Sequence, residues 1–203
     1  MEILKATDDD VRRAAAIIRN GGVVVYPTET VYGLGCNPAD VEAAKRVCII
    51  KGRADKPLPV ACADVETARR IVDFSPAAEK VADRFWPGPL MLVLPAKVKY
   101  SMWVTHGAST LGVRVPDHAV ALKLAKLSDG VIISTSANRS GNPPPATARE
   151  AADQVGGEVD LILDGGPSPL RQPSTVLDLS GENAWILRRG SVTAEQLREA
   201  LSI

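Results

Sequence analysis

Ile133-Ser134-Thr135-Ser136-Ala137-Asn138-Arg139-Ser140-Gly141, directly after Val131-Ile132, is the stretch on which the reading of this chain turns. The β-branched run 131–133 predicts a buried strand. Apolar character then gives way at once to hydroxyls, an amide, an arginine and a glycine. A strand that ends this way sets small donors and acceptors at the carboxyl edge of a sheet, where open α/β sheets bind ligands. A plain polar turn would use the same residues for local backbone bonds. The segments around it therefore have to decide.

Upstream, Thr110 to Pro116 alternates. Leu111, Val113 and Val115 share one face of a predicted strand, and Thr110, Gly112 and Arg114 share the other. An arginine and a hydroxyl on one strand face suit a carboxylate or a phosphate, although a solvated sheet face can carry the same pair. Asp117 is predicted to cap a helix running to about Leu127, which leads into Val131–Ile133 as a central strand. Further back, Val23 to Tyr26 reads as a strand buried on both faces. It feeds Pro27-Thr28-Glu29-Thr30-Val31-Tyr32-Gly33-Leu34-Gly35-Cys36, a second polar stretch between strand and helix. Gly33 and Gly35 there mark positions where the backbone needs shapes that side chains forbid. The spacing of a P-loop is absent. Asn37-Pro38 is predicted to open the next helix, with Val41, Ala44, Val47 and Cys48 inward. That helix ends in the densest basic cluster of the chain: Lys45, Arg46, Lys51, Arg53 and Lys56, opposed by Asp55. Such clusters are ordinarily solvated. This one is framed by an apolar pair and a proline, as triphosphate binding requires.

The remaining segments alternate between helix and strand. Thr7 to Asp10 has capping-box spacing, with Val11, Ala14, Ala15 and Ile18 on one face, so the chain is expected to begin α then β. Ser75-Pro76 opens another helix and Leu90–Leu94 is a strand. Tyr100 to Ser109 reads as irregular, with His106 a loop residue. Downstream, Thr147 and Thr193 open helices, and 161–163, 174–178 and 184–187 read as strands. Asp164-Gly165-Gly166-Pro167-Ser168-Pro169 is rich in turn formers and is a candidate lid. Some strands follow one another with no helix between. The fold class is therefore α/β of mixed α+β character: a twisted open mixed sheet with flanking helices, not a clean doubly wound fold.

Composition narrows the function. The 203 residues suit one domain spanning 1–203. Formal net charge is zero, so no global field draws the chain to nucleic acid or membrane, and an anion site must be local. Cys36, Cys48 and Cys62 form no C-x-x-C pair and read as free thiols of a reducing compartment. His106 and His118 lie in separate segments, which argues against a structural zinc site. The first ten residues are acidic rather than signal-like, and no apolar run approaches membrane-spanning length. A cytoplasmic protein is expected.

Six motifs in one order resemble the YrdC-like family, the threonylcarbamoyl-AMP synthases. They are Tyr26 to Gly35, Lys51-Gly52-Arg53, Phe85-Trp86-Pro87-Gly88-Pro89-Leu90, Val113-Arg114-Val115-Pro116, Ser134-Thr135-Ser136-Ala137-Asn138 and Ser174-Thr175-Val176. The resemblance runs from Gly21 to about Val192. It implies a concave, basic cavity on a twisted sheet. It also implies a nucleotidyltransferase that makes threonylcarbamoyl-AMP and pyrophosphate from L-threonine, bicarbonate and ATP, with Mg²⁺ on the phosphates. Threonylcarbamoyl-transferase proteins then pass the group to tRNA. The family's threonine site matches Thr30, Arg114, Ser134 and Ser174. Its ATP site matches Lys51, Arg53, Lys56, Thr110, Ser136, Asn138 and Arg188. Lys51 and Arg53 would position substrate and stabilise charge, with no catalytic nucleophile and no metal ligand from the protein. Three positions depart from many relatives: a short segment Ala54-Asp55-Lys56 after Arg53, Ala61 where several carry histidine, and Pro144 where a serine is common. The chain also ends at Ile203, before the extra C-terminal domain of longer relatives.

Two rival readings use the same residues. One is a module that binds tRNA or double-stranded RNA through the basic cavity. Zero net charge and 4% aromatic residues weigh against it. The other is a carbamoyl-adenylate enzyme with a different acceptor, which the departure at Ala61 keeps open.

Overall fold

A computed structural model describes residues 2–52 and 56–202. In chain order the helices are α1 (Asp8–Arg19), α2 (Val41–Lys51), α3 (Val65–Ile71), α4 (Pro76–Phe85), α5 (Met102–Thr105), α6 (Ala119–Leu127), α7 (Ala148–Val155) and α8 (Ala194–Leu201). A helix start leaves backbone amides without partners, and short polar side chains supply them. Thr7, Asp40, Asp64, Ser75, Thr147 and Thr193 do so, each accepting from the amide three residues on. The second helix therefore starts at Asp40, not at Asn37-Pro38; the Asn37 side chain accepts from Ala39 instead. Its Val41 is exposed, while Ala43 and Ile50 turn inward with Ala44, Val47 and Cys48. His118 rather than Asp117 precedes α6. The stretch 100–109, expected to be irregular, contains the short helix α5.

The strands are β1 (Glu2–Lys5), β2 (Val24–Tyr26), β3 (Gly33–Gly35), β4 (Val60–Cys62), β5 (Leu90–Pro95), β6 (Thr110–Arg114), β7 (Val131–Ile133), β8 (Thr135–Ser136), β9 (Leu161–Asp164), β10 (Thr175–Asp178) and β11 (Trp185–Arg188). Among the described residues they form two mixed sheets rather than one, ordered β1-β9-β2-β3-β8 and β11-β10-β5-β6-β4-β7. The chain passes from one sheet to the other at Ser134, and the Ile133 amide just before it already donates to the Cys36 carbonyl at 2.9 Å. β7 pairs antiparallel with β4 in one sheet, and two residues later β8 pairs antiparallel with β3 in the other. Ser134 is the crossing point, its amide on the Pro59 carbonyl at 2.8 Å. The sequence predicts the strand 131–133 and the polar stretch after it, but a one-residue seam leaves no mark on a hydropathy pattern, so the pairing of 135–136 with the other sheet was not legible. The seam also makes β7 an edge strand rather than a central one. β1 escaped the sequence reading because it is largely exposed; it adds to the sheet edge in parallel with β9.

The main core lies where α2, α4 and α7 cover inward residues of both sheets, among them Leu34, Leu90, Leu92, Val113, Ile162 and Leu177. A second cluster packs α1 and α6 against Val24, Tyr26, Ile132 and Leu161. Gly33 and Gly35 have ordinary backbone angles. They are needed because the Tyr26 ring lies against them: a Cβ on either would come within 2.8 Å of it. Close approach, not backbone freedom, is the reason for these glycines. Among the described residues no helix is long and apolar enough to cross a membrane.

Candidate functional site

Alternate residues of three adjacent strands build one concave wall. On β6, Thr110, Gly112 and Arg114 line a cavity of about 480 Å³, while Leu111 and Val113 are buried in the core. The same alternation puts Met91 and Val93 of β5 and Val176 and Asp178 of β10 on the cavity. Their neighbours Leu90, Leu92, Thr175 and Leu177 point inward. The edge strand adds Leu187 and Arg188. The other sheet contributes Gly33, Thr135 and Ser136, with residues of the 28–32 segment and the seam residue Ser134.

All four residues expected at an amino-acid site, Thr30, Arg114, Ser134 and Ser174, line this cavity. So do four expected at a nucleotide site: Lys56, Thr110, Ser136 and Arg188. The two sets touch. Arg188 donates from Nε to the Ser174 carbonyl at 3.0 Å and from Nη2 to Ser174 Oγ at 3.1 Å. Arg53 lies outside the described residues. Lys51 and Asn138 belong to the supporting layer rather than the lining. The buried Lys51 ammonium donates to the carbonyls of Ser136 and Asn138, the latter at 2.8 Å. Asn138 Nδ2 in turn holds the Asn142 carbonyl at 2.7 Å. The basic cluster thus divides: one lysine braces the Ser136–Asn138 loop from behind, and another faces the cavity.

The hydrogen bonds fix which way the hydroxyls point. Thr28 Oγ1 donates its one proton to the Val31 carbonyl at 2.6 Å. Its 2.9 Å contact with Thr30 must then run from Thr30 to Thr28. Thr30 accepts from Arg114 Nη1 at 3.1 Å. The chain of donation is therefore Arg114 to Thr30 to Thr28 to Val31. Thr30 offers a lone pair to the cavity, and Arg114 offers N–H groups and charge. Arg114, on the last position of β6, lies beside Ala61 in the β4–β6 register, and Ala61 itself is fully buried.

The segment 164–169, expected as a lid, is tied down. Tyr32, buried beside the cavity, donates to the Gly166 carbonyl at 2.7 Å and accepts from the Gly165 amide at 3.3 Å. Burial pushes its phenol up to about 12, so it stays protonated. Ser168 and Leu170 donate their amides to the carbonyls of Ala146 and Glu29. Cys36, Cys48 and Cys62 are buried; burial pushes the Cys62 thiol up to about 12 and that of Cys36 higher still, so neither is a thiolate at neutral pH. Among the described residues no group of three or more His, Cys, Asp or Glu side chains is placed to hold a metal ion. Among the described residues the cavity lining carries one carboxylate, Asp178. The sequence reading had marked the 27–36 stretch and the Gly112 face of β6 without giving Thr28, Tyr32 or Gly112 a site role, and had not selected Met91, Val176 or Asp178. The period-two alternation of β5 and β10 was the signal that could have found the strand residues.

A family profile named Sua5_yciO_yrdC and described as "Telomere recombination" matches residues 16–190. The threonylcarbamoyl-AMP synthase of Pyrococcus abyssi is 42% identical over 193 residues, covering 94% of this chain and 57% of that protein. The threonylcarbamoyl-AMP synthase of Halorhodospira halophila is 37% identical over 181 residues, covering 88% of this chain and 94% of that protein. The crystal structure of P. abyssi Sua5 complexed with L-threonine superposes with a TM-score of 0.92 at 40% identity, covering 98% of this chain and 60% of that one. The chain thus spans less than two thirds of the length of the P. abyssi protein. With the profile matching most of the chain and the mixed-sheet architecture superposing on a solved relative, this chain belongs to the Sua5/YciO/YrdC family.

Proposed function

We propose that this protein is a cytoplasmic threonylcarbamoyl-AMP synthase, a nucleotidyltransferase acting on L-threonine, bicarbonate and ATP in its Mg²⁺ complex. The observation that carries the reading is the contact between Arg188 and Ser174 inside one cavity. The reaction joins an amino-acid derivative to a nucleotide, so both must reach one point. The α-amine and bicarbonate give a carbamate and water. A carbamate oxygen then bonds to the α-phosphorus of ATP, the bond to the bridging oxygen breaks, and pyrophosphate leaves.

Arg114 holds the threonine carboxylate with its planar fork. Thr30, limited to accepting, takes a proton donor of the ligand, its ammonium or its hydroxyl; Ser134 and Ser174 complete that set. Lys56 and Arg188 lie where negative charge spreads over the polyphosphate, with Arg53 assigned to the same task. Thr110 and Ser136 orient the nucleotide, and Lys51 and Asn138 hold the loop that carries Ser136. No protein nucleophile is needed, because alignment and charge stabilisation supply the rate. Magnesium would come with the nucleotide and would neutralise phosphate charge; among the described cavity residues Asp178 is the carboxylate that could hold it. Transfer of the product to tRNA falls to threonylcarbamoyl-transferase partners.

The test is mass spectrometry of the adenylate formed from ¹³C-bicarbonate. Labelled threonylcarbamoyl-AMP should appear when threonine, bicarbonate and ATP are all present. Arg114→Ala should lower its rate by roughly 100-fold or more, as loss of a charge-assisted bidentate contact does. Labelled adenylate formed equally well with other amino acids would favour a different acceptor. ATP that binds without any adenylate forming would overturn the reading.

A further inference from the structure

Glu29 has no task in the reaction above, yet its environment is unusual. It sits between Thr28 and Thr30, both of which line the cavity, and is itself only 5% exposed. Neither carboxylate oxygen accepts a hydrogen bond among the described residues. Its Oε1 lies 3.4 Å from Arg114 Nη1, with both side chains buried. His118, at the start of α6, also faces it electrostatically. Burial holds His118 below its usual value. A buried carboxylate without hydrogen bonds is costly unless something compensates it.

We infer that Glu29 is a specificity-determining residue, which makes the cavity select a zwitterionic α-amino acid over a plain carboxylate. The inference rests on the proposed amino-acid site. Arg114 and Glu29 form a fixed pair whose charges cancel. A monoanionic ligand on Arg114 takes up that arginine's charge and leaves the buried Glu29 carboxylate uncompensated. A zwitterion does not: its carboxylate faces Arg114, and its ammonium sits on the Thr30 lone pair with the Glu29 carboxylate behind it. Glu29 thus acts through the wall, as a counter-charge, without needing to touch the ligand.

The experiment is calorimetry with L-threonine and with its 2-hydroxy analogue, 2,3-dihydroxybutyrate, on wild type, Glu29→Gln and Glu29→Asp. Wild type should prefer threonine strongly. Glu29→Gln should narrow the preference by roughly tenfold or more, weakening threonine while tightening the hydroxy acid, a size expected for one buried charge contact. Glu29→Asp should keep most of the preference. A Gln variant that weakens both ligands in parallel has only lost structure, and that result overturns the inference, as does an unchanged ratio. If wild type binds no threonine, the amino-acid site itself is wrong and the inference falls with it.

Discussion

Lys51 shows how much of a site can be support. Its ammonium is buried among main-chain carbonyls of residues 136 and 138. A lysine in that place orders the loop that presents Ser136, at a desolvation cost offset by several hydrogen bonds. Replacing it with methionine keeps the stem and removes the donors. Those carbonyls would then lie buried without a partner, at about 1–3 kcal/mol. Lys51→Met should therefore lower the unfolding free energy by that amount, read as a lower urea midpoint, and weaken ATP as the loop loosens. An unchanged midpoint with ATP binding lost would place Lys51 in direct contact with nucleotide instead. Sequence alone grouped Lys51 with Lys56, because a run of basic residues looks the same whether a side chain points inward or outward. The direction of the Thr28–Thr30–Arg114 chain was likewise beyond sequence, since it depends on counting protons in a fold.

At the scale of elements, β6 carries the most information. Its alternation separates Leu111 and Val113 from Thr110, Gly112 and Arg114, and that separation was legible before any coordinates. Gly112 is the flat part of the cavity floor. A Cβ there would lie 3.3 Å from both Met91 Sδ and Pro59 Cβ. Met91 is flexible enough to give way but the Pro59 ring is not, so Gly112→Val should fold with a melting temperature several degrees below wild type. The valine would still fill the floor between Thr110 and Arg114. Threonine or ATP affinity should fall by roughly tenfold, read by calorimetry beside a thermal melt. Full affinity in the folded variant would show that ligands bind elsewhere. Capped, amphipathic α1, α4 and α8 were legible for the same reason as β6: a strong period and a local signal agree. The exposed edge strand β1 and the short α5 had neither.

For the whole molecule, the decisive feature is the seam at Ser134. The chain leaves one sheet at Ile133 and enters the other at Thr135, so the stretch with the richest polar chemistry lies where the sheets meet. That geometry was hidden, because a sequence records the order of strands but not the residue at which pairing changes partner. Its consequence is a cavity walled by both sheets, in which the Ser174–Arg188 contact brings an amino-acid site and a nucleotide site together. One compound tests this directly: adenosine joined to threonine through an unreactive sulfamoyl link. Calorimetry should show it binding at least ~100-fold more tightly than either threonine or AMP, since the second half binds at high effective concentration. Arg114→Ala should remove most of that gain. A linked compound that binds no better than AMP alone, or one that ignores the loss of Arg114, would contradict a shared cavity.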